Sequence, residues 1–296
     1  MLMIKNKTKS KKPLSIRKLP SVWELSKKSF DLIINNYKIF LGIALIYGLL
    51  TLVLVKGFSG GLNVSTLKTD LNQVFSGNFA ALASGLGVFV VMIGSAGSNS
   101  TAASSPYQLV IAIVTSLAVI WSLRQVLANK KFRLRDTYYK SMYPLIPFIL
   151  VLAVVSLQLI PLMIGSTIYG MVVSYGIAVS IIERIIWVLV FLGLATLTIY
   201  WLSSSLFALY IVTLPDMTPI KALRSAKELV TGYRWQVIRK VIALPVILLA
   251  AAIVVMLPVI VILTPLAQWV FFLLTSLVLV AINTYMYLLY RELMNE

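Results

Sequence analysis

Six stretches of the chain are apolar with little interruption for long enough to cross a hydrocarbon layer: Tyr37–Val55, Tyr107–Ala128, Pro144–Ile164, Ile185–Val212, Val241–Ile262 and Ala267–Tyr290. At about 1.5 Å of rise per helical residue the shortest reaches ~28 Å, close to the ~30 Å of a bilayer core. Ile185–Val212 is longer than the core requires and is expected to tilt or project beyond the headgroups. A seventh run, Phe79–Gly94, is 16 residues long and largely apolar, and falls short of a full crossing.

Between these runs the period changes from continuous to amphipathic. Ser21 and Glu24 form a capping-box signature, and Val22, Trp23, Phe30, Ile33 and Ile34 share one helical face opposite Lys27, Lys28 and Asp31. A second helix of this kind opens at Thr218-Pro219 and closes at Gly232, with Ile220, Leu223, Leu229 and Val230 facing away from Lys221, Arg224, Lys227 and Glu228. Laying Ser29–Leu41 on Ser225–Val237 pairs Ser29 with Ser225, Ile33 with Leu229, Tyr37 with Tyr233 and Lys38 with Arg234, without a gap. A shorter version, Arg135–Ser141, precedes the third span. The pattern predicts an all-α membrane protein: three transmembrane hairpins, each preceded by a basic amphipathic interfacial helix. Outside the hairpins, amphipathic segments are expected over residues 62–94 and 166–183; Val64, Leu67, Leu71 and Val74 mark the first, and Ile168, Met171, Tyr175, Val179 and Ile182 the second. Two crossings per copy make the repeats parallel, which speaks against the inverted halves usual in alternating access.

Composition supports the same class. Hydrophobic residues make up 60% of the chain and charged residues 12%, at a mean hydropathy of +0.95, which excludes a soluble globule. The net charge of +17 is distributed by position. Ten basic residues lie between Lys5 and Lys38, six between Arg124 and Lys140, and six between Lys221 and Lys240, each group abutting the end of a span. That is the positive-inside pattern, so both termini are expected in the cytoplasm. Were Phe79–Gly94 to cross, the Arg124–Lys140 group would move outside; it is therefore read as lying on or dipping into the outer leaflet. Residues 1–19 read as a disordered basic tail and residues 20–296 as one membrane domain. The first apolar run has no small-residue cleavage pattern behind it and is expected to stay as an anchor. Attraction of the tail to anionic headgroups is the reading of its charge, and nucleic acid is not expected as a partner.

Candidate chemistry is sparse. Cysteine and histidine are absent, and all nine acids fall at interfaces or outside the spans, which removes triads, thiolate or imidazole metal sites and intramembrane carboxylate relays. No catalytic residue, cofactor or metal is expected, and the chain reads as non-enzymatic. Two groups remain. Arg133, Arg135, Lys140, Lys221, Arg224, Lys227, Arg234, Arg239 and Lys240 share one membrane side and could contact an anionic lipid or a partner. Gln158, Ser203, Ser204, Ser205, Asn283 and Thr284 could line a polar path, or act as interhelical hydrogen-bond glue worth ~0.6 kcal/mol each. The tryptophans fall near the span ends, as in an aromatic belt.

The stretch Leu214–Trp235 carries Ala222-Leu223-Arg224, then Ser225, then Gly232-Tyr233-Arg234-Trp235 ahead of a hairpin. It resembles the six-helix membrane proteins related to the membrane domain of glycerophosphoryl diester phosphodiesterases and to the YciC-like family, most closely over Leu214–Val241. The resemblance implies a bacterial plasma-membrane location. It implies no activity, because the phosphodiesterase of such fusions is a separate soluble barrel that needs acidic and histidine residues. The expected role is that of an envelope or lipid-linked accessory factor, with a channel or facilitator for a small uncharged solute as the alternative.

Overall fold

The computed structural model describes residues 19–55, 105–174, 180–262 and 264–294, and all its regular structure there is helical. Eleven α-helices follow: α1 (Val22–Asn35), α2 (Tyr37–Leu50, prolonged by a π-helical turn over Thr51–Val55), α3 (Ser105–Leu127), α4 (Leu134–Ser141), α5 (Leu145–Leu157), α6 (Ile160–Ser174), α7 (Ile181–Ser205), α8 (Ala208–Ile211), α9 (Pro219–Val230), α10 (Arg234–Ile262) and α11 (Thr264–Met294). Six continuous or nearly continuous stretches are long and apolar enough to cross a membrane: Tyr37–Val55, Pro106–Leu127, Leu145–Val172, Ile181–Ile211, Arg234–Ile260 and Trp269–Met294. The chain is a multi-pass membrane protein. The tail over residues 1–18 and the expected outer segment over 62–94 lie outside the described residues.

The three short helices end where the sequence pattern breaks. Ser21 caps α1, accepting from the Glu24 amide at 3.1 Å while the Glu24 carboxylate accepts from the Ser21 amide at 2.8 Å. One residue, Asn36, then separates α1 from α2. Thr218 caps α9 with Pro219 in its first turn, and Gly232, at φ +92°, takes the left-handed turn that lets the chain re-enter helix at Arg234. Each of α1, α4 and α9 thus leads within one to three residues into an apolar helix.

Three boundaries differ from the sequence reading. Residues 166–174 do not open a separate outer helix; they continue α6, because Ser166 and Thr167 each donate to the Met163 carbonyl at 2.9 Å and so keep their polar groups inside an apolar helix. The third span is accordingly Leu145–Val172 rather than Pro144–Ile164, interrupted at Gln158–Leu159, with Pro161 in the first turn of its second half. The fourth span, Ile181–Ile211, reaches the expected end but is interrupted near it. The hydroxyls of Ser203, Ser204 and Ser205 donate to the carbonyls of Tyr200, Trp201 and Trp201 at 2.8, 2.9 and 3.3 Å, and the helix breaks at Leu206–Phe207 before resuming as α8. The fifth span starts at Arg234, not Val241, and runs unbroken through Pro245 and Pro258.

Helix α11 is the hub. It packs on α1, α2, α3, α9 and α10, and nearly all of Asn283–Tyr290 is buried. Half of the most apolar stretch of α3 and of α11 is buried, against 6% for Ile181–Ile211, so α7 presents Ile182, Ile185, Ile186 and Leu189 outward. Such apolar exposure suits a protein whose solvent is hydrocarbon. Close crossings occur where side chains are small: a Cβ on Gly48 would stand 3.2 Å from both Phe272 Cε1 and Ser276 Oγ of α11. Several polar groups in the core bond locally or to the next helix. Asn283 donates to the Ser116 hydroxyl of α3 at 3.3 Å and to the Leu279 carbonyl at 2.9 Å, and Ser122 to Thr137 of α4 at 3.3 Å. Tyr138 of α4 donates to the Ile43 carbonyl of α2 at 3.4 Å; burial pushes its pKa up to about 12, so it stays a donor at neutral pH.

The α2–α11 crossing is testable by one substitution at two places. Gly48→Leu is expected to destabilise the detergent-solubilised protein by about 1–3 kcal/mol through overpacking. Gly193→Leu, where a Cβ meets nothing within 4 Å, is expected to leave the unfolding midpoint nearly unchanged. Equal midpoints for the two would mean that the helices do not approach so closely.

Candidate functional site

The ends of α3, α8 and α11 and the starts of α2, α5 and α10 meet at one end of the bundle. Two links across that end tie α1 down: the Lys28 ammonium pairs with the Glu292 carboxylate at 2.8 Å, and the Lys240 ammonium donates to the Pro20 carbonyl. Tyr285 donates to the Lys240 carbonyl at 3.2 Å, fixing α11 to α10 beside them. Above the same end, three tyrosines cluster, Tyr210 of α8 with Tyr287 and Tyr290 of α11, their ring centroids 6.0 to 6.2 Å apart.

A cavity of about 670 Å³ opens here between the last turns of α3, the α4–α5 corner and the Val212–Met217 connection. Its walls follow from local structure. At the end of α3 the chain turns through Asn129, at φ +52°, with the Lys130 amide bonded to the Gln125 carbonyl at 3.0 Å. Trp121 meets Phe132 edge-on at 5.3 Å across this turn, so α4 folds back alongside α3 and brings Lys140 to 6.0 Å from the centre of the Trp121 ring. On the far wall, Thr213 donates to the Tyr210 carbonyl at 2.7 Å and Asp216 adopts a left-handed φ of +59°, curling the connection into α9.

Arg124 joins the two walls. Its guanidinium donates to the carbonyls of Thr213 and Tyr210 at 2.7 and 3.0 Å and to the Thr213 hydroxyl. No carboxylate pairs with it among the described residues. The sequence gives only its position one turn from a span end, which reads as snorkelling; its role as a strut between α3 and the α8–α9 connection needs the distant carbonyls, and no local motif announces them.

The basic residues singled out in the sequence divide. Lys140 lines the cavity with Arg124. Arg133 precedes α4 and Arg135 lies on it, both exposed; Lys221, Arg224 and Lys227 are exposed along α9, and Arg239 is exposed on α10. Arg234 is half-buried, its guanidinium 4.4 Å from the centre of the Tyr200 ring. Lys240 does not belong to the open patch: it is buried, because the segment before α1 crosses over it and takes its proton donors. The polar set scatters. The three serines and Thr284 bond within their own helices, Asn283 reaches Ser116, and Gln158 lies at the α5–α6 break with its Oε1 buried and unpartnered. No hydrogen bond joins Gln158, Ser203–Ser205 and Asn283 to one another among the described residues.

A second, apolar groove of about 370 Å³ runs between α1, α10 and α11, walled by Trp23, Phe30, Ile33, Leu244, Leu248 and Ala281. No group of three or more acidic side chains placed to hold a metal ion occurs among the described residues. No protein-family model, curated protein or solved structure matches the chain.

If Arg124 is the strut described, Arg124→Gln should lower stability in detergent by about 1.5–3 kcal/mol, the range for hydrogen bonds from a charged donor. It should also expose the Val212–Thr218 connection to proteolysis. Arg124→Lys should recover part of the loss. A melting curve unmoved by Arg124→Gln would remove the strut.

Proposed function

We propose that the protein is a non-catalytic integral protein of the plasma membrane, an envelope or lipid-linked accessory factor whose basic face binds anionic lipid headgroups from the cytoplasmic side. One observation carries this reading: the helices bearing Arg133, Arg135, Lys140, Lys221, Arg224, Lys227 and Arg239 gather at a single end of the bundle, where the cations remain exposed while the rest of the described surface is largely apolar. In this reading α1, α4 and α9 are the interfacial helices of three hairpin units. Helix α1 suits that place, since Leu25 and Ser29 face the protein while Trp23 and Phe30 are 76% and 64% exposed and turn outward, available to the headgroup region. The resemblance over Leu214–Val241 is consistent with such a layout in a bacterial membrane. A channel or facilitator for an uncharged solute would need Gln158, Ser203–Ser205 and Asn283 to converge, and their separate bonding gives it no support.

Two measurements test the proposal. Each cation near an anionic surface contributes about 1 kcal/mol, so the combined variant Arg224→Glu, Lys227→Glu and Arg239→Glu should cut retention of phosphatidylglycerol from mixed phosphatidylglycerol–phosphatidylcholine micelles by at least about tenfold. Retention equal to that of the unsubstituted protein would overturn the lipid role. For orientation, the chain contains no cysteine, so single cysteines report cleanly. Tyr139→Cys and Thr218→Cys, at exposed sites, should resist an impermeant thiol reagent in intact cells, and Ser98→Cys should label. Labelling at position 139 from outside would reverse the assigned sidedness.

A further inference from the structure

Resting on the reading of the basic face, we propose that the cavity between α3, the α4–α5 corner and the Val212–Met217 connection is a specific site for one molecule of a single-phosphate anionic phospholipid with a hydroxylated headgroup. The surface cations would gather such lipids; the cavity would select one.

The shape of the cavity divides by polarity along α3. Leu117 and Ile120 line it on the side of the apolar core, with Pro147 opposite on α5; Arg124 and Gln125, one to two turns further on, line its outer part. From Leu117 to Gln125 the wall rises roughly 12 Å along the helix. That distance takes a ligand from hydrocarbon to headgroup level, as a phospholipid requires and a free anion does not. Trp121 stands at the transition, an aromatic residue placed where apolar and polar parts of a lipid meet.

The charge at the outer part is unbalanced in the direction of an anion. A guanidinium offers five N–H donors. The bonds from Arg124 to Thr213 and Tyr210 occupy three of them and neutralise none of its charge, since every acceptor is a carbonyl or hydroxyl. Lys140 contributes a second cation on the opposite wall, held near Trp121 without a carboxylate partner among the described residues. The first turn of α5 borders the cavity through Pro144 and Pro147, so the positive end of that helix dipole adds to the field. Asp216 supplies one negative charge on the rim. Two cations against one carboxylate leave a net charge that a phosphodiester of charge −1 offsets. With the phosphate near Arg124 and Lys140, the Asp216 carboxylate is left to accept from a headgroup hydroxyl. A choline headgroup offers neither that donor nor a net negative charge.

The experiment uses the full chain carrying Tyr143→Cys, a rim position that is 90% exposed, labelled with a polarity-sensitive fluorophore. The labelled protein, in neutral detergent, is titrated with phosphatidylglycerol, phosphatidylcholine and glycerol 3-phosphate. The expected result is a saturable signal with phosphatidylglycerol alone. Gln125→Glu, which adds a carboxylate within the cavity without removing the Arg124 strut, should weaken that binding about tenfold, as should Lys140→Glu. Both side chains lie at the surface end of their helices, and a melting curve in the same detergent confirms folding. The combined Arg224→Glu, Lys227→Glu and Arg239→Glu variant should lower bulk lipid retention yet leave the cavity affinity within about twofold. A titration indifferent to Gln125→Glu in a folded protein would overturn the cavity site while leaving the basic-face reading standing. A response to glycerol 3-phosphate equal to that to the lipid would overturn the amphiphile assignment. Loss of bulk retention without loss of cavity affinity separates the two readings in the other direction.

Discussion

Helix α11 packs against more of the described helices than its neighbours do, touching α1, α2, α3, α9 and α10, and its last turns are enclosed by protein while most other helices keep one side for lipid. Enclosure imposes a chemical condition. Asn283 and Tyr285 are buried polar side chains in a low-dielectric setting, and each must find a partner. The partners sit on different helices: Ser116 of α3 for Asn283 and the Lys240 carbonyl of α10 for Tyr285. Satisfying α11 therefore fixes the rotation and height of α3 and α10 around it. From those positions follow the α3–α4 corner, the seat of α1 over Lys240 and the end of the bundle where the cations collect.

Cations in this structure do two different jobs, and only geometry separates them. Arg124 and Lys240 spend their hydrogen bonds on backbone carbonyls of other segments and hold the bundle end together. Arg133, Arg135, Lys221, Arg224, Lys227 and Arg239 are exposed and available to a charged surface. Lys140 and Arg124 together mark the one place where the two roles overlap, a strut whose charge is not cancelled by what it binds.

Hydrophobic run length and charge position made the architecture legible: the six spans, the short helices before three of them, and the caps at Ser21 and Thr218 all follow from local pattern. Span ends were less legible, because they depend on whether a hydroxyl bonds to water or to its own helix. Ser166 and Thr167 read as the start of a surface segment, yet they bond back to the Met163 carbonyl and prolong α6; the back-bonding of Ser203–Ser205 accompanies the break that ends α7. At the candidate site, composition indicated cations but not which were free. Lys240 counts among the exposed basic residues by sequence and is buried, since a segment 220 residues away covers it. Arg124 fails to stand out for the complementary reason: its acceptors lie 86 and 89 residues downstream, and a carbonyl carries no side-chain identity to search for.

The seat of α1 has a bearing on biogenesis. Its anchors, Lys240 and Glu292, leave the ribosome long after α1 and α2, so α2, α3 and α4 can pack on one another before α1 finds its seat. Until the C-terminal hub arrives, Ser116 of α3 lacks the asparagine that caps it. An insertion chaperone or ordered lipid able to shield that hydroxyl would find its longest opportunity in this interval, and truncations that lose α11 would leave the earlier segments inserted but without a common centre.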